Sequence, residues 1–498
     1  MPQTKRTVAI VGAGLSGAAA AVRLWDLAKE LEHRGSSMPL EIHLFEASAI
    51  LGGRASSRFL PEEDLLLDGA QHLTMNCCTA MLEFLRRTDL LRFWKLQTEM
   101  TFCVRSGASE TAGPLRFFPF RNSASLPQPF HLLPALWGLG HLNRLERLQL
   151  LGICRQIQKS TPNSGDSFRA WMEKLGCPAS VADHFFDPVI LSAFSDQMEN
   201  VSAGIAKTVF RRMFLETKDG WHFWIPQCPL REIFDANLTP FLERSGIRIH
   251  RQTPVRRIVP GRLLIQDTKS GLRSEFAADS VILAVPWFQA GKLLPELVSL
   301  DLFQPERFEP RTISAVHFWT DRVLFPQPNL VLPRETIQWI FRPPFGPEVP
   351  NSAHHSDGLQ GPDPKLRFLP ENVGPETCSP AERVRHGFYH QALLSDADRC
   401  VSAKPQALEQ LVRAELQMLF PEARFLHFRT TRCPAAVFSC STWMEHSRPT
   451  MLTPFPSIFL AGDWTATQLP ATMESAVVSG NLAAEETFHF LKNLHESQ

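Results

Sequence analysis

Two periods alternate along this chain, and the switches between them mark its elements. Val8 to Val11 is a short unbroken apolar run, the pattern of a strand buried on both faces. Ala18 to Glu32 follows, with Leu24, Leu27 and Leu31 at helical spacing. Glu41 to Phe45 reads as a second strand. Cys77 to Thr88, Asp166 to Gly176, Pro188 to Phe194, Pro229 to Ser245 and Lys404 to Leu419 read as helices. Ile247 to His250 and Pro254 to Val259 are predicted strands, and Arg262 to Asp267 with Arg273 to Ala277 a hairpin. The run DSVILAVPW from Asp279 is a further buried strand. Thr312 to Thr320, Thr336 to Phe341, Gly387 to Leu394 and Arg424 to Thr431 alternate as strands of a second sheet. A last strand, Ser457 to Leu460, precedes a helix opening near Thr472. Arg342 to Pro380 has no period and is rich in Pro, Gly, Asn and Ser, which predicts a long loop.

This order predicts an α/β chain: a Rossmann-like dinucleotide-binding domain, with a parallel sheet and antiparallel crossover strands, interleaved with an α+β substrate domain. The binding domain would comprise residues 1–90, 229–290 and 436–498, and the substrate domain 91–228 and 291–435.

The chemistry starts in the first βα turn. Gly12, Gly14 and Gly17 stand in GxGxxG spacing between the first strand and its helix. In that context Gly12 permits the tight turn, Gly14 lets backbone N–H groups approach a pyrophosphate, and Gly17 lets the helix pack on the strand. The phosphates then meet the positive end of the helix dipole. Glu46 at the tip of the second strand suits the hydroxyls of an unphosphorylated ribose. It lies twenty-nine residues beyond Gly17, which a lengthened loop over His33 to Pro39 explains. Gly53 and Arg54, in LGGRASS, place a charge-assisted donor within reach of the same pyrophosphate. At the far end, Gly462 and Asp463 in AGDW follow a strand, where an acid can bind ribityl hydroxyls. Thr472 and Met473 open a helix whose N-terminus can stabilise negative charge on a reduced ring.

Composition narrows the partners. Lys plus Arg and Asp plus Glu both number 51, so no charge excess argues for nucleic acid. Ten cysteines show neither CxxC nor Cys/His spacing, which predicts buried thiols in a reducing compartment and no metal. Lys5 and Arg6 imitate the start of a secretory signal, but the patterned glycines and the charged stretch Arg23 to Arg34 do not fit one. No apolar run reaches the roughly 18 residues of a membrane-spanning helix. Leu126 to Lys159 admits two readings. It is a core helix pair, or an interfacial amphipathic segment with Arg144, Arg147, Arg155 and Lys159 toward lipid headgroups. The Trp221, Phe223 and Trp224 cluster suits a pocket wall or plain core equally.

Taken together, GAGLSG, LGGRA, LDGAQHL, LPALWGLGHLNRLERL, AVPW and TPFPSIFLAGDWTATQLPATMESAVVSG, preceded by Arg448-Pro449, resemble the squalene-associated flavin desaturases. These form a branch of the phytoene desaturase and amine oxidase superfamily, and more narrowly the chain looks like the hydroxysqualene dehydroxylase group within it. The branch reads LDNGQH where this chain has Leu67 to His72 as LDGAQH. The resemblance implies FAD as cofactor, with the Val255 backbone near its adenine portion, and Gln71 and His72 brought to the flavin ring. His72 taken alone fits a hydrogen-bonded core histidine as well. It further implies an apolar isoprenoid substrate, an external electron donor, and reductive dehydroxylation of hydroxysqualene to squalene. Gln71, His72 and Glu474 are then the candidates for catalysis at the leaving hydroxyl. The location implied is cytoplasmic, or peripheral on the inner face of the cytoplasmic membrane. Competing readings are a carotenoid or phytoene-type desaturase, a flavin amine oxidase, and a non-catalytic FAD-bound scaffold.

Overall fold

The computed structural model describes residues 5–105, 114–123, 125–128, 130–333, 335–343, 387–396 and 404–496. The Pro-rich stretch predicted as a loop lies almost wholly outside the described residues. The first run of apolar residues forms strand Arg6–Val11 at the centre of a five-stranded sheet. Leu40–Phe45 and then Arg248–His250 lie on one side of it, Ser280–Leu283 and then Ile458–Leu460 on the other. Every pairing in this sheet is parallel. That explains the near-continuous hydrophobicity of its strands, which are covered on both faces. The chain is thus α/β, with strands drawn from three separated stretches.

Two helices seal one face. Helix Leu15–His33 and helix Met473–Glu496 come from opposite ends of the chain. Their contact faces are built from small residues: Ala18 and Ala19 on one, Ser479, Gly480, Ala483 and Ala484 on the other, all buried. A β-carbon at Gly480 would stand 2.2 Å from the Ser16 carbonyl oxygen, and one at Gly17 would stand 1.9 Å from that of Gly12. Backbone meets backbone here, and any side chain would force the elements apart.

A second sheet of seven strands holds Phe425–Phe438, Pro310–Thr320 and Phe388–Ser395 side by side. Phe425–Phe438 runs seven residues past the end predicted at Thr431, through Pro434. The pairing with Pro310–Thr320 shifts register between Arg311 and Ile313, so the proline sits in a bulge where its missing N–H leaves no ladder bond unmade. Strand Ser57–Leu60, which the apolar pattern does not announce, pairs with Leu65–Asp68 as a hairpin. Leu67 of that hairpin packs on Trp319, Tyr389 and Leu426 of the large sheet.

Leu126 to Lys159 folds as helices Leu133–Gly138 and Arg144–Lys159. Asn143 and Glu146 form a capping box at the start of the second. Leu150, Ile153 and Ile157 face the core, whereas Leu145 and Leu148 are 64% and 56% exposed. The core reading therefore describes one face, while the other leaves apolar side chains exposed. Trp221 and Phe223 are fully buried.

The two kinds of glycine should separate cleanly in unfolding experiments. Gly480→Val should lower stability by about 1–3 kcal/mol or more, because Ser16 carbonyl is rigid backbone. Gly152→Ala, on an exposed helix position with nothing within 4 Å, should raise it by about 1 kcal/mol. Denaturant titration distinguishes the two signs.

Candidate active site

The glycine turn and the GGR turn build one cradle. Gly12 has φ +106°, and a β-carbon there would meet the Ala284 carbonyl oxygen at 2.5 Å, so only glycine fits. Gly52 bridges to Gly14, its N–H donating to the Ala13 carbonyl at 2.9 Å. Gly53 faces Gly14 so closely that a β-carbon on it would lie 3.2 Å from the Gly14 Cα. Helix Leu15–His33 begins at Gly14 with no side-chain cap and no acidic residue in its first turn. A helix start whose N–H groups are left uncapped beside two side-chain-free turns fits a pyrophosphate. Glu46 stands at its rim, with Oε2 accepting from Ala13 N–H at 2.9 Å and Oε1 from Ser48 N–H at 2.8 Å. The Glu46 carbonyl accepts from Thr253 N–H at 2.9 Å, which brings the strand beginning at Val255 beside the same rim. The adenosine-side candidates are thereby assembled in one place.

A second group lies at the other end of the cradle. Arg54 Nη2 pairs with Asp463 Oδ1 at 2.6 Å, Nη1 donates to the Ala436 carbonyl at 2.8 Å, and the guanidinium lies 5.5 Å over the Trp287 ring. Gly462 N–H donates to Ser479 Oγ at 2.9 Å, and Ser475 Oγ donates to the Asp463 carbonyl at 3.2 Å. Thr472 Oγ1 in turn accepts from Ser475 N–H at 3.2 Å, capping the helix that Met473 opens. Trp287, Ser475 and Ser479 were not singled out from the sequence. The serines' spacing of four, one helical turn, is the signal that could have found them.

The turn from Asp68 to His72 sits beside this group. His72 Nδ1 donates to the Ala70 carbonyl at 2.9 Å, and burial with the nearby Arg54 charge holds the imidazole below its ordinary pKa. It is therefore neutral near pH 7, with Nε2 left as an acceptor. Gln71 is buried and donates to the His72 carbonyl at 2.9 Å. The turn itself is tied down from below. Thr431 Oγ1 donates to the Gly69 carbonyl at 2.6 Å, so it accepts from His317 Nε2 at 3.0 Å. His317 Nδ1 then accepts from Tyr389 Oη at 2.7 Å. Burial pulls His317 down to about 3, which keeps the ring neutral, and its two hydrogen bonds select the tautomer.

Glu474 is placed elsewhere. Its Oε1 takes Arg212 Nη2 at 2.9 Å, and its Oε2 takes Met81 N–H at 2.8 Å, at the start of helix Thr79–Arg87. Arg212 also donates to the Cys77 carbonyl at 2.7 Å. The carboxylate is a buried helix cap and ion pair, which accounts for Glu474 without a part in proton transfer. Among the described residues no group of three or more His, Cys, Asp or Glu could hold a metal ion.

Asp68 offers a direct check on this turn. Its Oδ1 accepts from Ser57 Oγ at 2.5 Å and from Leu230 N–H at 3.0 Å, while burial raises the carboxyl from 3.8 to about 6. The folded chain keeps a proton there that the unfolded chain releases, so the stability due to this group is present at low pH and lost as pH rises through about 6. Asp68→Asn should gain stability relative to the parent between pH 4 and 6.5 and then level off. Parallel pH profiles for the two proteins would contradict the raised pKa.

The profile of flavin-containing amine oxidoreductases matches residues 15–487. A hydroxysqualene dehydroxylase of Sinorhizobium fredii is 24% identical over 96% of this chain and 98% of that protein. A 15-cis-phytoene desaturase of Synechococcus elongatus is 20% identical over 96% and 95%. Among solved structures, an oxidoreductase from Methanosarcina mazei superposes with a TM-score of 0.66 at 16% identity, covering 96% of this chain and 100% of that one. With the cradle described above, these findings settle the family: the chain is a member of the flavin-containing amine oxidoreductases, with FAD as its cofactor.

Proposed function

We propose that this flavoprotein acts on a long isoprenoid, and that its reaction is the reductive dehydroxylation of hydroxysqualene to squalene. The hydrocarbon class is supported by the likeness to relatives named for isoprenoid substrates over almost the whole chain. The helical layer beside the cradle has an interior of uncharged side chains, among them Leu132, Leu136, Ile157, Phe185 and Phe210. Relatives named for hydroxysqualene and for carotenes agree with that class. The amine oxidase alternative, which favours a flavin-facing aromatic cage, is weakened because the only tyrosine of the chain, Tyr389, is buried with its hydroxyl bonded to His317. The division into residues 1–90, 229–290 and 436–498 around the cofactor, with the remainder around substrate, belongs to the same reading.

The reaction breaks one C–O bond, forms one C–H bond, consumes a hydride and a proton, and releases water. FAD held in this cradle and reduced by an external donor would supply the hydride. In this reading Gly12, Gly14, Gly17, Glu46, Gly53 and Val255 hold the adenosine and pyrophosphate end. Arg54, Gly462, Asp463, Thr472 and Met473 hold the ribityl and ring end. His72, neutral with Nε2 open, orients the departing hydroxyl by accepting its hydrogen bond, solvent supplies the proton that turns the hydroxyl into water, and Gln71 fixes the turn that presents the imidazole. The apolar walls exclude water from the reacting carbon.

Anaerobic incubation with hydroxysqualene and a chemical reductant should yield squalene. His72→Ala and Gln71→Ala should cut turnover at least about ten-fold with flavin content unchanged, while Glu474→Gln should act through stability. Bound flavin with no isoprenoid converted would favour the scaffold reading, and desaturation of a carotene would favour the desaturase.

A hydrocarbon substrate is reached from a bilayer, and the exposed face of Leu126 to Lys159 suits one. Phe130, Trp137, Leu145 and Leu148 are exposed beside Arg144, Arg155 and Lys159. No helix among the described residues is long and apolar enough to cross a membrane, so the contact would be peripheral. The intact protein should co-sediment with vesicles containing phosphatidylglycerol, and Leu145→Glu with Leu148→Glu should abolish it. Equal sedimentation of parent and variant would leave this surface without a lipid role.

A further inference from the structure

Arg448 opens the Arg-Pro pair that precedes the last strand, and no role in the site has yet used it. Its side chain is 5% exposed. Nη1 donates to the Leu469 carbonyl at 2.7 Å, whereas Nε and Nη2 have no hydrogen-bond partner. The carboxylates whose charge reaches it are those of Asp463 and Glu445. Both are committed elsewhere, Asp463 to Arg54 and Glu445 to the Ser202 hydroxyl. Arg6, buried to the same degree, has Asp279 at 3.5 Å. Arginine does not shed its proton, and a buried charge without a counterpart costs several kcal/mol. The free edge of Arg448 therefore calls for an acceptor that the protein does not supply.

The shape of that edge says what kind. Nε and Nη2 present two parallel N–H groups, which match two neighbouring acceptor atoms. Leu469, where the guanidinium is anchored, lies between Asp463 and the helix start at Met473, the two points assigned to the ribityl and ring end of the cofactor. The flavin pyrimidine offers a ring nitrogen and a carbonyl oxygen side by side, N1 and C2=O, and reduction places negative charge there. We propose that Arg448 is a flavin-contacting residue whose Nε–Nη2 edge binds the N1–C2=O edge and stabilises the reduced, anionic cofactor. The N-terminus of helix Met473–Glu496 acts on the same charge in the same direction. This goes beyond the choice of isoprenoid and rests only on FAD.

The test is the two-electron midpoint potential of the purified holoprotein, with the dissociation constants of oxidised and reduced FAD. Arg448→Met should weaken binding of reduced relative to oxidised flavin about 100-fold, a fall of about 60 mV, and Arg448→Lys, which keeps the charge without the fork, about ten-fold, or about 30 mV. Arg212→Met serves as the structural control, expected to lower thermal stability and leave the potential in place. An Arg448→Met holoprotein with the parent's potential overturns the proposal, as does an effect confined to stability. Should that variant fail to fold, an unchanged potential in Arg448→Lys overturns it equally. A parent protein without flavin absorbance would overturn the cofactor assignment as well, and so is told apart from a failure at Arg448.

Discussion

The contact on which the rest depends is the backbone-to-backbone approach of the first and last helices. Ser16 carbonyl reaches the Gly480 position, and Gly12 carbonyl the Gly17 position, at distances that leave no room for a β-carbon. This closeness lets a helix from each end of the chain lie over one parallel sheet. It also sets two helix N-termini, near Gly14 and Met473, along the same side of that sheet. Two positive helix ends held together would be an electrostatic liability without a ligand. A cofactor with a pyrophosphate at one end and a reducible, anion-forming ring at the other relieves both.

Charge around the ring end follows the same logic. Arg54 and Asp463, drawn from turns 409 residues apart, neutralise one another across the cradle. Glu474 sits one residue past Met473 but turns away to Arg212 and the start of helix Thr79–Arg87. Arg448 is left with an open edge. An uncompensated positive charge beside a bound flavin would stabilise its reduced, anionic form, which favours loading of the cofactor by a donor and reduces the driving force for hydride delivery.

The neutral chain Tyr389–His317–Thr431–Gly69 shows how the second sheet reaches the site. Each member has one hydrogen-bond direction open to it, so three strands hold the turn that carries Gln71 and His72 without any charge of their own. None of these partners is near another in sequence, and each taken alone looks like an ordinary strand residue.

The parallel sheet, the glycine turn, the acidic strand tip and the last helix were legible because each is a local pattern: an apolar run, a glycine spacing, a period of 3.6. The resemblance of the motifs to a flavin family was equally readable, since it rests on short contiguous stretches. What the sequence could not decide was which partner each polar side chain would find. Glu474 had the right neighbourhood for an acid and was claimed by Arg212. Strand Phe425–Phe438 continued through Pro434 because it bulges there, with residues 434–436 opposite Thr312 alone. The two faces of Arg144–Lys159 were both written in its pattern, but only packing decided which was buried. Local periodicity is set by the backbone's own geometry, whereas pairing of charges and hydrogen bonds is settled by long-range burial, where each polar group must take whatever complement the tertiary structure brings within reach.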